Sequence, residues 1–320
     1  MSIAAVFPGQ GSQSVGMGKY LFDNFKIVKE LFEEASDTLS MDFEESCFEG
    51  PESELALTAN TQPALLLVST ACYRALTANC NLDVGAMAGH SIGEYAAVVA
   101  AGGLDFASAM KAVRMRGEAM QSAVPVGEGG MAAVMGMSPD QVERLCTWVE
   151  TLAKDTPLSP ANYNAPGQIV ISGKQSLIDW LNEHYDKTIF EGETLGRVKF
   201  IQLKVSAPFH CSMMEPAEET MLLVLSDMKF NDITIPVVQN FTAEAVTKAD
   251  QLRDNLISQV SGAVKWIECT EKLVADGMTT HVEFGNGKVL AGLAKKINKD
   301  IQVYNLNNLE EFQKLEKLWS

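Results

Sequence analysis

Basic residues are scarce in this chain: 25 lysines and arginines stand against 41 aspartates and glutamates, a formal charge of -16 over 320 residues. A protein that grips nucleic acid or an anionic membrane needs a large basic face, so this balance argues against both partners while leaving room for a local basic patch. Histidine is scarcer still, at four, and no His/Cys/Asp group has the spacing of a metal site. None of the six cysteines (Cys47, Cys72, Cys80, Cys146, Cys211, Cys269) belongs to a C-x-x-C pair. They read as free, mostly buried thiols of a reducing, cytoplasmic compartment. Long apolar runs are missing: the longest, around Ala96 to Ala101, is far too short to cross a bilayer. The opening Met1-Ser2-Ile3-Ala4 has no basic start and does not read as a signal peptide. No internal repeat, low-complexity tract or charged tail is evident.

What is present is ordinary globular composition, 47% hydrophobic and 21% charged, in a length that suits one sizeable core with a smaller inserted unit. Ala4 to Phe7 is a short apolar run closed by Pro8-Gly9, hence a buried strand ending in a tight loop. Helical periodicity covers Tyr20 to Leu39 and Gln62 to Thr77; a second buried strand is expected at Gly85 to Gly89, and a helix at Ile92 to Ala101. Asp105 then caps a helix reaching about Ala123. Strand alternating with helix is the grammar of a parallel α/β sheet.

Beyond Pro125 the grammar changes. Strands are expected at Met131–Met135, 161–164, 169–172 and Val198–Val205, with helices from Ser138 and from Gln175. Ser138, Pro139 and Gln141 have the makings of a capping box. The order β-α-β-β-α-β matches a ferredoxin-like module. The expected organisation is therefore an α/β large domain of residues 1–126 and 200–320, with a small subdomain at 127–199. The large domain resumes with a strand at Ile235–Gln239, a helix near Gln251–Val260, a strand at Thr280–Phe284, and a last strand and helix near 302–318.

Gly89-His90-Ser91-Ile92-Gly93 fits G-x-S-x-G between an expected strand and an expected helix, the setting of a nucleophile elbow. The pattern alone is common; the flanking elements make Ser91 a candidate nucleophile, its hydroxyl standing over a helix start that favours a developing oxyanion. A serine needs a base. His184 sits on a polar helix and His281 inside a strand, whereas His210, in Pro208-Phe209-His210, follows a strand where loop residues gather. His210 is the best of the three. Cys211 beside it would point away, as adjacent residues do, and reads as a packed thiol. Arg116 falls on the apolar stripe Ala109, Val113, Met120, Ala123. A guanidinium there must find an anion. Two partners remain open, a structural carboxylate or a substrate carboxylate held by the planar fork. The loop Phe7-Pro8-Gly9-Gln10-Gly11-Ser12-Gln13 lacks the lysine and spacing of a phosphate loop.

Taken together, these segments resemble the malonyl-CoA:acyl carrier protein transacylase family. The matching blocks are residues 7–13, Thr61-Gln62-Pro63-Ala64, Gly89 to Tyr95, Met115-Arg116-Gly117, Asn162 to Gln168, Pro208-Phe209-His210 and Gly285 to Leu290. The resemblance implies an α/β-hydrolase-like core with a ferredoxin-like insertion, and the partners malonyl-CoA and acyl carrier protein, with no cofactor beyond the phosphopantetheine that the carrier protein bears. It implies Ser91 as nucleophile, His210 as base and acid, and the backbone N–H groups of Gln10 and Ile92 as oxyanion hole. It further implies Arg116 on the malonyl carboxylate, the backbone carbonyl of Gln259 orienting His210, and His90, Asn162 and Asn164 near the substrate or its pantetheine arm.

Departures from the family pattern are Asn286 in place of a proline and Gly262-Ala263 in place of Asn-Pro, both expected to lie away from the chemistry. Phe209, where fatty-acid enzymes often carry serine, tilts the reading toward polyketide synthesis. The competing readings are a hydrolase that clears acyl groups from carrier proteins and an inactive carrier-protein docking module.

Overall fold

The computed structural model describes residues 2–205 and 207–319. Its strands in chain order are β1 (Ile3–Phe7), β2 (Val84–Gly89), β3 (Gly129–Met135), β4 (Leu158–Ala165), β5 (Gln168–Lys174), β6 (Lys199–Gln202), β7 (Val237–Val238), β8 (Ala245–Val246), β9 (Thr280–Glu283) and β10 (Gln302–Asn305). Six of them form one sheet in the order β10-β9-β1-β2-β7-β8. Every pairing in it is parallel except β7 with β8. The other four form an antiparallel sheet in the order β4-β5-β3-β6. This is the α/β-hydrolase-like core with a ferredoxin-like insertion expected from the sequence. The strands of the insertion run from Gly129 to Gln202, so the expected boundary at 199 falls at the start of its last strand.

The large sheet is covered on both faces, as parallel sheets are. Along β1, Ile3, Ala5 and Phe7 join the core that contains Leu31, Phe32 and Leu66. The alternate residues Ala4 and Val6 join Trp266, Leu273 and Leu290. A third cluster under the small sheet is built on Val134, Val142, Leu145, Ile169 and Ile178.

Several elements differ from the sequence reading, each for a local reason. The helix expected over Tyr20–Leu39 is broken at Phe25, whose extended backbone (φ -126°, ψ 121°) ends one helix, Lys19–Asn24, and starts the next, Lys26–Leu39. The helix expected from Gln62 starts at Thr58 and carries Pro63 inside. Proline has no N–H for the Ala59 carbonyl four residues back, and Arg114 Nη1 donates to that carbonyl instead, at 3.2 Å. The strand expected at Ile235–Gln239 is reduced to Val237–Val238, and the one at Val198–Val205 to Lys199–Gln202. Helices Glu215–Ser226, Trp266–Ala275 and Val289–Ile297 were not anticipated. The capping box of the helix Pro139–Ala153 forms as expected, both Ser138 and Gln141 bonding reciprocally. Among the described residues no helix is long and apolar enough to cross a membrane.

Candidate active site

β2 ends at Gly89 and a helix begins at Gly93, so His90, Ser91 and Ile92 make a sharp turn. The turn is anchored by His90 N–H on the Phe7 carbonyl of β1 and by Gly93 N–H on the His90 carbonyl, both at 2.9 Å. Ser91 takes a left-handed conformation, φ 50°, which costs a non-glycine residue about 1–3 kcal/mol and persists only where the surroundings enforce it. A Cβ on Gly89 would stand 2.0 Å from the Gly93 carbonyl, and one on Gly93 2.2 Å from the Phe7 oxygen. The two glycines of the motif are therefore steric necessities.

The loop after β6 carries His210, also at positive φ (60°) and 4% exposed. Its Nε2 lies 2.8 Å from Ser91 Oγ, and its Nδ1 lies 2.8 Å from the Gln259 carbonyl oxygen. A carbonyl only accepts, so Nδ1 bears the proton and the Nε2 lone pair receives the serine O–H. Burial, reinforced by the nearby Arg116 charge, pushes the His210 pKa down to about 3. The imidazole is neutral at pH 7 and able to take a proton. The other candidates are placed elsewhere: His184 is exposed and stacked on Trp180, and His281 is buried in β9 against the Met278 carbonyl. Cys211 points its sulfur at the Pro208 carbonyl, and burial pushes its thiol pKa up.

Arg116 reaches the same point from the helix Phe106–Ser122. The next residue, Gly117, would set a Cβ 2.7 Å from Ala59 Cα, so only glycine lets this helix close on Thr58–Asn79. That approach puts Arg116 Nη1 2.9 Å from Gln62 Oε1. Nη2 donates to Gln259 Oε1 at 2.8 Å and to Ser91 Oγ at 3.2 Å. Arg116 is 1% exposed, its Nε has no partner, and no carboxylate of the described residues bonds to the guanidinium. The structural carboxylate that the sequence left open is not in contact with it; the nearby buried Glu94 acts on Arg116 only through space.

Ser91, His210 and Arg116 open into a cavity of about 100 Å³. Gln10, Gln62, His90 and Asn162 complete its polar wall, and Met120, Met131, Leu203, Val205 and Phe209 its apolar wall. The cavity thus combines a carboxylate-seeking cation with a short apolar passage. His90 Nε2 sits 2.7 Å from Asn164 Oδ1, joining the turn after β2 to β4 of the small sheet. Ile92 is buried at the helix start, and no acceptor takes its N–H or that of Gln10 among the described residues. Two such N–H groups are what an oxyanion requires. Among the described residues no group of three or more His, Cys, Asp or Glu could hold a metal ion.

Four contributions escaped the sequence. Asn240 Oδ1 accepts the Ser91 N–H at 2.7 Å while its Nδ2 donates to the Gly89 carbonyl at 2.7 Å, clamping the turn from below. Glu94, fully buried, accepts from Asn240 N–H at 2.6 Å and Gln239 Nε2 at 3.0 Å. Those donors suit a carboxylate, although burial pushes its pKa up to about 7. Gln62 and the side chain of Gln259 brace Arg116. These contacts join residues 54 to 151 positions apart, and polar side chains at such distances leave no local pattern. Gly262, expected to lie away from the chemistry, has its backbone against His210. Asn286 donates to the Ser12 carbonyl at 2.6 Å and Ser14 Oγ at 2.9 Å, tying its glycine loop to the one that carries Gln10.

Residues 5–306 match the model of the acyl transferase domain family. A malonyl CoA-acyl carrier protein transacylase of Staphylococcus aureus (strain COL) is 41% identical over 308 residues, 96% of each chain. The structure of an acyl-carrier-protein S-malonyltransferase from Burkholderia pseudomallei 1710b superposes with a TM-score of 0.91 at 38% identity, covering 99% of this chain and 100% of that one. A malonyl-transacylase solved in complex with a type II PKS acyl-carrier protein superposes with a TM-score of 0.92 at 35% identity, over 99% and 100% of the two chains. The chain belongs to the acyl transferase domain family, and within it to the malonyl-CoA:acyl carrier protein transacylases.

Proposed function

We propose that this protein moves a malonyl group from malonyl-CoA to the phosphopantetheine thiol of an acyl carrier protein through a malonyl-serine intermediate. The observation that carries the reading is the buried, carboxylate-free Arg116 guanidinium 3.2 Å from Ser91 Oγ. An acyl chain bound with its thioester carbon at Ser91 presents its far end to this cation, and a terminal carboxylate is the group that gains from it.

In the first half-reaction Ser91 Oγ attacks the thioester carbon while His210 Nε2 takes its proton. The resulting oxyanion is received by the N–H groups of Gln10 and Ile92. The tetrahedral adduct expels the CoA sulfur, which leaves with the proton from His210. In the second half the carrier thiol gives its proton to His210, attacks the ester carbon and takes the malonyl group, and the proton returns to Ser91. Gln259 holds the imidazole in the required tautomer through its backbone carbonyl, and His90, Asn162 and Asn164 border the path of the pantetheine arm. The proposed steps call for no cofactor beyond the phosphopantetheine that the carrier protein bears.

The decisive experiment is mass spectrometry of the intact protein with malonyl-CoA. One malonyl adduct is expected, on Ser91, and Ser91→Ala removes both adduct and transfer without unfolding the protein. An adduct on Cys211 would refute the mechanism. A hydrolase acting on neutral acyl chains gains nothing from Arg116, and no observation favours it. Within the family, Phe209 in the apolar wall of the cavity supports a role in polyketide synthesis rather than fatty-acid synthesis. That choice is tested by kcat/KM for carrier proteins of the two kinds; preference for the fatty-acid carrier reverses it.

A further inference from the structure

The two groups that hold the Arg116 guanidinium are both uncharged. Gln62 Oε1 accepts from Nη1 at 2.9 Å and Gln259 Oε1 from Nη2 at 2.8 Å, and each glutamine is at most 1% exposed. Their opposite amide ends fix the orientation: Gln62 Nε2 faces the Met120 sulfur at 3.8 Å, and Gln259 Nε2 donates to the Ser91 carbonyl at 3.1 Å. Turning either amide over would set its NH2 group against a guanidinium that has no lone pair to offer. The buried acid nearby, Glu94, accepts from Asn240 and Gln239 and acts on Arg116 only through space, without a hydrogen bond to the guanidinium among the described residues.

A buried guanidinium that must attract an incoming carboxylate faces two conflicting demands. Its N–H groups need acceptors, because an unbonded buried donor is costly. Those acceptors must not be anionic, because a fixed carboxylate would take the bidentate position and leave no charge for the substrate. Two amide oxygens satisfy both.

Resting on the transfer activity proposed above, we infer that Gln62 and Gln259 are specificity-determining residues: they brace Arg116 without neutralising it, so the cavity selects acyl groups that end in a carboxylate. Gln62 is the cleaner of the two to test, since Gln259 also holds His210 through its backbone.

The experiment compares wild type, Gln62→Glu and Gln62→Met, measuring kcat/KM for loading of Ser91 from malonyl-CoA and from acetyl-CoA, with thermal melting as a check on folding. Gln62→Glu keeps the shape and adds the forbidden charge. It is expected to lower malonyl loading about 100-fold, the scale of a buried charge pair lost, while acetyl loading, which needs no contact with the guanidinium, falls far less and the malonyl preference collapses. Gln62→Met removes the acceptor without adding charge, and is expected to lower malonyl loading about tenfold or less and to retain the preference. The inference is overturned if Gln62→Glu keeps the wild-type preference, or if Gln62→Met loses as much of it as Gln62→Glu. Should Gln62→Glu fail to fold, Gln62→Asp, which brings the same charge on a shorter side chain, is read by the same criteria. A wild-type protein that takes up no malonyl on Ser91 brings down the activity reading and this inference together; failure confined to the variants brings down this inference alone.

Discussion

In the proposed reaction Arg116 is the residue on which substrate choice turns. Its removal deletes a buried, charge-assisted contact worth about 2–5 kcal/mol, or roughly two to three orders of magnitude in malonyl loading. Acetyl-CoA makes no such contact. Arg116→Ala is therefore expected to flatten or invert the malonyl-over-acetyl ratio of kcat/KM, and an equal decline for both substrates would make the arginine structural. His210 supplies a second measurement. A free histidine loses its basic form as pH falls through about 6.5. In the fold, burial and Arg116 hold the value near 3, so the neutral base survives far into acid. The kcat/KM of the malonyl-loading step should stay level from pH 8 to about 5. A fall by half near pH 6.5 that persists in Glu94→Gln, which lacks the buried acid titrating near 7, would show that the imidazole is more hydrated than the structure has it.

At the scale of elements, the site is a meeting of chain segments, and the approaches at Gly89, Gly93 and Gly117 depend on missing side chains. Gly93→Ala is expected to displace the helix start from β1, because the added carbon would lie 2.2 Å from the Phe7 oxygen. Malonyl labelling of Ser91 should vanish while the small sheet, packed on its own cluster, keeps its structure; full labelling would mean that the turn yields easily. The elbow was legible in the sequence because glycine, serine and glycine have to fall at fixed spacing between strand and helix. Arg116 was legible because a charge on an apolar helical stripe is a visible contradiction. The grip of Gln62 on the guanidinium and of Asn240 on Ser91 was not, since amides are unremarkable wherever they occur and declare themselves only across tertiary contacts. The helices Trp266–Ala275 and Val289–Ile297 escaped for a related reason: each spans ten residues or fewer, and neither carries a side-chain cap to mark its start.

The whole molecule is strongly acidic, yet its proposed partner, a carrier protein, is expected to be acidic as well, so docking needs a local exception. Lys199, Lys204, Lys288, Lys295 and Lys296 are candidates for that exception, the last three at the N-cap and in the last turn of the helix Val289–Ile297. Lys288 is paired with Glu311, and Lys296 donates to Gln168. Lys199 and Lys204 are exposed and make no ion pair among the described residues; Lys199 opens β6, and Lys204 follows its end between Leu203 and Val205 of the cavity wall. Reversing both charges is expected to raise the KM for carrier protein several-fold at low salt, where steering is strongest, and to spare loading from malonyl-CoA. Unchanged transfer kinetics at low salt would place the docking face elsewhere.

Gln259 touches all three working groups: its carbonyl holds His210, its side-chain oxygen holds Arg116, and its side-chain nitrogen holds the Ser91 carbonyl. Such a node makes the site a single thermodynamic object. Damage at one member is transmitted to the others through one rigid residue, so losses measured singly at Ser91, His210 and Arg116 cannot be summed. For evolution the consequence is conservative: a new acyl specificity is reached more readily by reshaping the Met120, Met131 and Phe209 wall than by exchanging any member of the node, because each exchange disturbs the selector and the reactive pair together.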